Sequence, residues 1–176
     1  MRKISILLIT CILVLTSCSS NENEASDISG DLVGTWTATD LVYEGSYETT
    51  IAGEDFETYY YGEADEMTNT LTFTESPNTV ISEGSYNISL EYTINGVTDT
   101  DYIVGEEFLQ SGSWELDGDE LIIENDDEVN QEEAPSIKIL TLTKDKLVIS
   151  STETIELEEN GVEIKSLIKM ISTFKR

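Results

Sequence analysis

Two cysteines, 36 carboxylates, eight tyrosines and no histidine are the reactive side chains of this 176-residue chain. Without an imidazole, neither Ser–His–Asp nor Cys–His nucleophilic catalysis can be assembled. Zinc sites that depend on histidine are lost with it. No glycine-rich loop of phosphate-cradling spacing is present, so nucleotide chemistry has no seat. Carboxylate pairs remain, and two carboxylates suffice for glycoside hydrolysis. No motif sets one pair apart from the rest, so no catalytic residue and no cofactor are assigned, and the chain is read as a non-enzyme.

Two segments could bind without catalysing. Asp117-Gly118-Asp119-Glu120, followed by Glu124, Asp126, Asp127 and Glu128, is oxygen-rich in the way Ca²⁺ requires. EF-hand spacing is absent, and a hairpin turn followed by a solvated acidic loop reaching Pro135 explains the same residues. Weak Ca²⁺ binding is left open and no metal site is assigned. The second segment, Tyr43 to Met67, holds Tyr43, Tyr47, Phe56 and the run Tyr59-Tyr60-Tyr61 among eight acids. Consecutive tyrosines on a strand point to both faces, so at least one is exposed. Exposed tyrosines suit apolar or sugar ligands, the ring supplying area and the hydroxyl a hydrogen bond. Tyr59, Tyr60 and Tyr61 are therefore the candidate ligand-binding residues, although the segment also reads as two further strands whose rings pack.

The cysteines lie at the amino end. Arg2 and Lys3 precede an apolar run, Ile4 to Thr16, that contains Cys11. Such a run is shorter than the ~20 residues a bilayer-spanning helix needs, and it fits a secretory leader. Leu15-Thr16-Ser17-Cys18 at its end resembles the lipobox of bacterial lipoproteins. The resemblance implies cleavage before Cys18, lipidation of Cys18, and anchoring to a membrane through N-terminal acyl chains. An ordinary secretory leader with a chance cysteine is the alternative. With Cys18 acylated and Cys11 removed, no thiol or disulfide would remain, and stability would rest on a core.

Loss of the leader leaves seven basic residues against 36 acids, a formal charge of about −29. Between Lys3 and Lys138 the chain has no Lys or Arg and 30 acids. That surface repels phosphate backbones, which argues against nucleic-acid binding. It also disfavours anionic headgroups, leaving acyl chains to hold the membrane. Ser19 to Ser29 is polar and acidic and reads as a flexible tether. Acidic residues soon after the cysteine resemble export signals that carry Bacteroidota lipoproteins to the cell surface. The expected location is the bacterial envelope, lipid-anchored to the outer membrane at its periplasmic face or on the cell surface.

From Leu32 onward the pattern has the period of two. Tyr86 to Ile94 alternates apolar and polar residues and runs into Asn95-Gly96, a preferred two-residue hairpin turn. Ser113 to Leu116, a turn at Asp117-Gly118, and Asp119 to Glu124 form a second hairpin. Thr154 to Glu158, Asn160-Gly161, and Val162 to Phe174 form a third. In the last strand Val162, Ile164, Ser166, Ile168, Met170, Ser172 and Phe174 share a face. So long a strand must curve or meet a bulge. Further strands are expected at Val33–Tyr43, Asn69–Thr74 and Thr79–Ser82, with a hairpin around Lys144-Asp145. No segment has a sustained helical stripe, so a sandwich or an up-and-down barrel follows. Glu91, Lys165 and Lys169 in mid-strand exclude the apolar outer band of a membrane-spanning barrel.

Leu32-Val33-Gly34-Thr35-Trp36 resembles the Gly-x-Trp signature of lipocalins, and with "SGSWELDGDELII" and the terminal "STFKR" the chain is similar to lipocalin-like lipoproteins of Bacteroidota. The resemblance implies an all-β, antiparallel, up-and-down barrel of about eight to ten strands. Trp36 would lie on the barrel floor, capped by a late basic residue, Lys175 or Arg176. The segment after the first strand would be a lid over the mouth. The implied organisation is a signal peptide at 1–17, an acylated cysteine and tether at 18–30, and a barrel domain at 31–176. The implied function is non-catalytic binding of a small, mainly apolar ligand in the barrel mouth. The alternative is a structural or protein- or glycan-binding module with a filled barrel.

Overall fold

The computed structural model describes residues 27–51, 53–94, 96–106, 108–124, 136–159 and 162–176. The leader, Cys18 and the tether up to residue 26 lie outside the described residues. So do Asn95, Asp126, Asp127, Glu128, Pro135, Asn160 and Gly161.

All regular structure among the described residues is β. In chain order the strands are β1 (Asp27–Ile28), β2 (Gly34–Ile51), β3 (Glu54–Asp65), β4 (Thr70–Thr74), β5 (Thr79–Glu83) and β6 (Tyr86–Ile94). They continue with β7 (Val97–Glu106), β8 (Gly112–Asp117), β9 (Glu120–Glu124), β10 (Ser136–Leu142), β11 (Lys146–Glu159) and β12 (Val162–Lys175). Strands β2, β4, β5, β8, β9, β10, β11 and β12 pair in that order, and β12 returns to β2, closing an eight-stranded antiparallel barrel. This is the all-β, antiparallel up-and-down barrel that the resemblance to lipocalins implied, where the alternation alone had left a sandwich open, with extra strands added to it.

Three of the added strands, β3, β6 and β7, are halves of barrel strands. β3 and β4 are one strand interrupted at Glu66–Asn69, and both pair with β2, at its far and near ends. β5 and β6 are interrupted at Gly84–Ser85, and β7 and β8 between Glu106 and Gly112. The first two interruptions are stitched together, Thr68 N–H donating to the Ser85 carbonyl at 2.9 Å and Ser85 N–H to Thr68 Oγ1 at 3.0 Å. Past these breaks, the far ends of β11, β12 and β2 join β3, β6 and β7 in a six-stranded sheet. Among the described residues β9 and β10 have no counterpart there: β10 begins at Ser136, paired with Thr152 of β11, so β11 beyond Thr152 runs past it.

The period-two pattern fixed the faces of β12 as expected. Its register on β2 sets Phe174, Ser172, Met170, Ile168 and Ile164 inward and Lys175, Lys169, Lys165 and Glu163 outward. The bulge needed to bend this long pair sits on β2, where Thr39 is the extra residue between partners of Thr173 and Phe174.

Three readings of the sequence change. The second hairpin turns at Gly118-Asp119, because Asp117 pairs with Glu120. Gly118, with φ of 65°, occupies the first loop position, where a side chain would be strained. The segment Tyr43 to Met67 is no lid: its β-rich alternation of Tyr, Thr and Glu continues β2 and builds β3. Residues 27–30 are not free tether. β1 lies parallel to Thr141–Leu142 of β10, and the Ser29 and Gly30 N–H groups both donate to the Leu142 carbonyl, at 2.9 and 2.8 Å. That end of β10 extends past the Ile137 and Lys138 positions where β9 pairs, so β1 completes an otherwise unpaired edge.

The near half of the barrel is filled by its own side chains. Trp36, Phe73, Phe174, Leu71, Leu147 and Ile139 are essentially inaccessible to solvent. Phe108 meets Phe174 edge-on at 5.3 Å between ring centroids.

Candidate functional site

Gly34 starts β2 with φ of 129°, a conformation that disfavours any side chain, and a Cβ there would press on the Arg176 guanidinium. The missing side chain lets Arg176 fold back over Trp36, its Cζ 4.2 Å from the ring centroid. Arg176 Nη2 donates to the carbonyls of Asp31 and Val33 at 2.9 and 2.7 Å, and Trp36 Nε1 donates to Leu32 O at 2.8 Å. The indole N–H of this floor is thus paired, as a buried indole requires. Of the two late basic residues, Arg176 is the cap, and Lys175 faces outward. Trp114 is part-buried at the same end, edge-on to Phe73 at 5.9 Å and donating to Thr74 O at 3.0 Å. Both indole N–H groups are thus held by backbone carbonyls at the packed end of the barrel.

Above the packed half lies a layer of inward polar groups. The Tyr43 and Tyr86 hydroxyls share a hydrogen bond of 2.5 Å. Ser172 Oγ donates to the Asp40 carbonyl at 3.1 Å. Asn69 is buried, and neither its amide nitrogen nor its oxygen has a partner.

Beyond this layer the inner face of the six-stranded sheet continues outward as an open trough. The registers align one row straight across it: Glu153 on β11, Ile168 on β12, Gly45 on β2, Tyr60 on β3, Tyr92 on β6 and Asp99 on β7. The next row inward runs Ser151, Met170, Tyr43, Gly62, Leu90 and Asp101. Toward the open end the same face carries Tyr47, Phe56 and Ile164. Phe56 is 44% exposed and Tyr47 37%, whereas Tyr60, Tyr92, Ile164 and Ile168 are half-buried. Burial, opposed by the Ser166 side chain and helped by Glu153, raises the Tyr60 phenol above its ordinary value. Tyr92 is raised by desolvation first, then by the fields of Asp101 and Asp99.

The three consecutive tyrosines are divided between the two faces. Tyr60 lies in the trough, its hydroxyl donating to the Leu167 carbonyl at 3.0 Å. Tyr59 and Tyr61 are on the outer face, and Tyr61 donates to Glu63 Oε1 at 2.7 Å. Sequence reasoning therefore located one of the three within the trough and missed its partners on β6, β11 and β12. The signal was present in the inward set Ile164, Ile168 and Met170, whose apolar stripe runs further than the barrel half requires.

A groove of about 450 Å³ lies elsewhere, lined by Glu48, Thr50, Glu156, Glu158, Glu163 and Lys165. These six residues belong to the outer face of β2, β11 and β12; Ile164 completes the lining, and the groove touches none of the three tyrosines. Lys165 Nζ is 2.9 Å from Glu156 Oε1 across it. Among the described residues no group of three His, Cys, Asp or Glu is placed to hold a metal ion. Asp117, Asp119, Glu120 and Glu124 are spread along the β8–β9 hairpin. Compared with known protein families, curated proteins and solved structures, the chain matches none.

Proposed function

We propose that the protein is a non-catalytic binding protein that takes a small, mainly apolar ligand into the trough at the mouth of its barrel. The supporting observation is an inner sheet face of aromatic and aliphatic side chains left half-exposed, continuous with a barrel whose other half is already full. Soluble proteins rarely leave a contiguous apolar face uncovered without use. Apolar burial contributes roughly 25 cal/mol per Å², and a micromolar complex needs about 8 kcal/mol. A ligand must therefore cover several rings at once, which the aligned row across β12, β3 and β6 provides.

The lipobox resemblance at Cys18 supports an acylated, envelope-anchored protein. Cys18→Ala is expected to release it from membranes, and unchanged membrane retention would refute the anchor.

Native mass spectrometry of the protein drawn from its own host tests the binding reading. A small-molecule adduct is expected, and it should disappear in Ile168→Glu, which puts a charge in the trough. A bare protein mass in both forms defeats the carrier reading. A second reading, a protein- or glycan-binding module, is favoured by the filled near half and by Tyr59, Tyr61 and Tyr102, which stand exposed on the outer face. It predicts that outer-face substitutions, not Ile168→Glu, abolish association.

A further inference from the structure

The described residues of the trough carry acids and no base. Glu54, Asp99, Asp101 and Glu153 belong to its face by register. The basic residues sit elsewhere. Lys165, Lys169 and Lys175 face outward from β12, and Lys138 and Lys146 face outward from β10 and β11. Lys144 is in the β10–β11 turn, and Arg176 caps the floor. Within the trough the acids are not scattered. The two rows that cross the whole trough end on β7 in aspartates, Asp99 beside Tyr92 and Asp101 beside Leu90, with Ile103 next on the same face of β7, while the centre of each row is aromatic and aliphatic. The Tyr92 phenol feels both aspartates. Ring faces carry negative quadrupolar potential and attract cations, and here the carboxylates at the rim reinforce them.

Resting on the apolar-ligand reading above, we infer that the ligand is a cationic amphiphile: an apolar body lying over Tyr60 and Ile168 and a positively charged amine or quaternary ammonium head held at the β7 rim by Tyr92, Asp99 and Asp101. An anionic amphiphile such as a fatty acid is rejected, because no described base in the trough could pair its head. Glu153 closes the opposite rim. Five strand spacings of about 4.8 Å separate it from Asp99 along the sheet, so a small ligand reaches one rim and not both.

The test is a calorimetric titration of the whole protein with three decyl probes below their micelle concentrations: decyltrimethylammonium, a neutral decyl glycoside and decanoate. Backbone amide NMR locates each. The cation is expected to bind about tenfold more tightly than the neutral probe, with decanoate weakest and amide shifts on β3, β6 and β7. Asp99→Asn with Asp101→Asn should erase that preference, bringing the cation's affinity down to that of the neutral probe. Both side chains are exposed, so the fold is retained. Glu48→Gln with Glu163→Gln, which removes as much charge from the outer groove, should leave the preference intact. Equal binding of cation and neutral probe overturns the inference and keeps the apolar reading. A preference that follows the outer-groove pair, or shifts confined to the outer face, also overturns it. Binding of none of the three defeats the apolar reading as well.

Discussion

The hydroxyl end of the Tyr60 ring covers Gly45, and the same hydroxyl donates to the carbonyl of Leu167 on the strand beyond. One aromatic side chain therefore crosses β2 to tie β3 to β12, and it can do so only because the intervening residue has no side chain. Without Tyr60 the floor of the trough would be bare backbone between Ile168 and Tyr92.

Gly45→Ala is expected to cost about 2 kcal/mol, within the range of overpacked sites. The new methyl would collide with the Leu167 carbonyl oxygen as well as the Tyr60 hydroxyl. Backbone cannot swing away, so adding Tyr60→Ser should recover little. Urea unfolding of the single and double variants measures this, and full recovery in the double variant would show that the ring alone was in the way.

Arg176→Ala should destabilise the barrel floor by about 1–2 kcal/mol. It removes a guanidinium stacked on Trp36 and the donor to two carbonyls. Arg176→Lys keeps the charge but loses the planar fork, so it is expected to recover only part of the loss. Thermal unfolding followed by Trp fluorescence compares the three proteins, and equal behaviour of Lys and Arg would reduce the contact to simple charge.

Asn69→Leu is expected to stabilise the protein by about 1 kcal/mol, because it replaces a buried, unpartnered amide with an apolar group of similar shape. Chemical denaturation gives the value. Destabilisation instead would mean that a bound water or ligand pairs with the amide.

Alkaline pH should weaken the fold through the trough tyrosines. Tyr60 and Tyr92 both have phenols raised above their ordinary value of 10.0. A phenol that holds its proton more tightly when folded contributes stability in full below the unfolded pKa and loses it as pH rises through the folded one. Urea midpoints are therefore expected to fall from about pH 10 upward, with a shallower fall in Tyr60→Phe. An identical fall in that variant would remove Tyr60 as a source.

Much of the barrel was legible because side-chain direction along a strand is a local property. The alternation in Tyr86–Ile94 and Val162–Phe174 reported which residues face inward, and the registers of β6 and β12 agree with it. The β8–β9 turn was misplaced by one residue because Asp-Gly and Gly-Asp are both good turn pairs, and only cross-strand pairing of Asp117 with Glu120 chooses between them. The segment Tyr43–Met67 carried two readings for a similar reason: its rings could cover a mouth or line a sheet, and strand propensity does not say where a strand will find its partner.

By itself, the sequence determined most of the strands, the alternation of faces along them, the acidity of the chain and its lack of imidazole, all of which follow from residue type and a period of two. Tertiary structure alone decided that three strands break and leave the barrel, that Tyr60 faces inward while Tyr59 and Tyr61 face outward as an exposed pair, and that Asp99 and Glu153 close the two ends of one row. Those facts depend on register between segments distant in the chain. Register is set by the summed packing of whole strands, and no short stretch of residues encodes it.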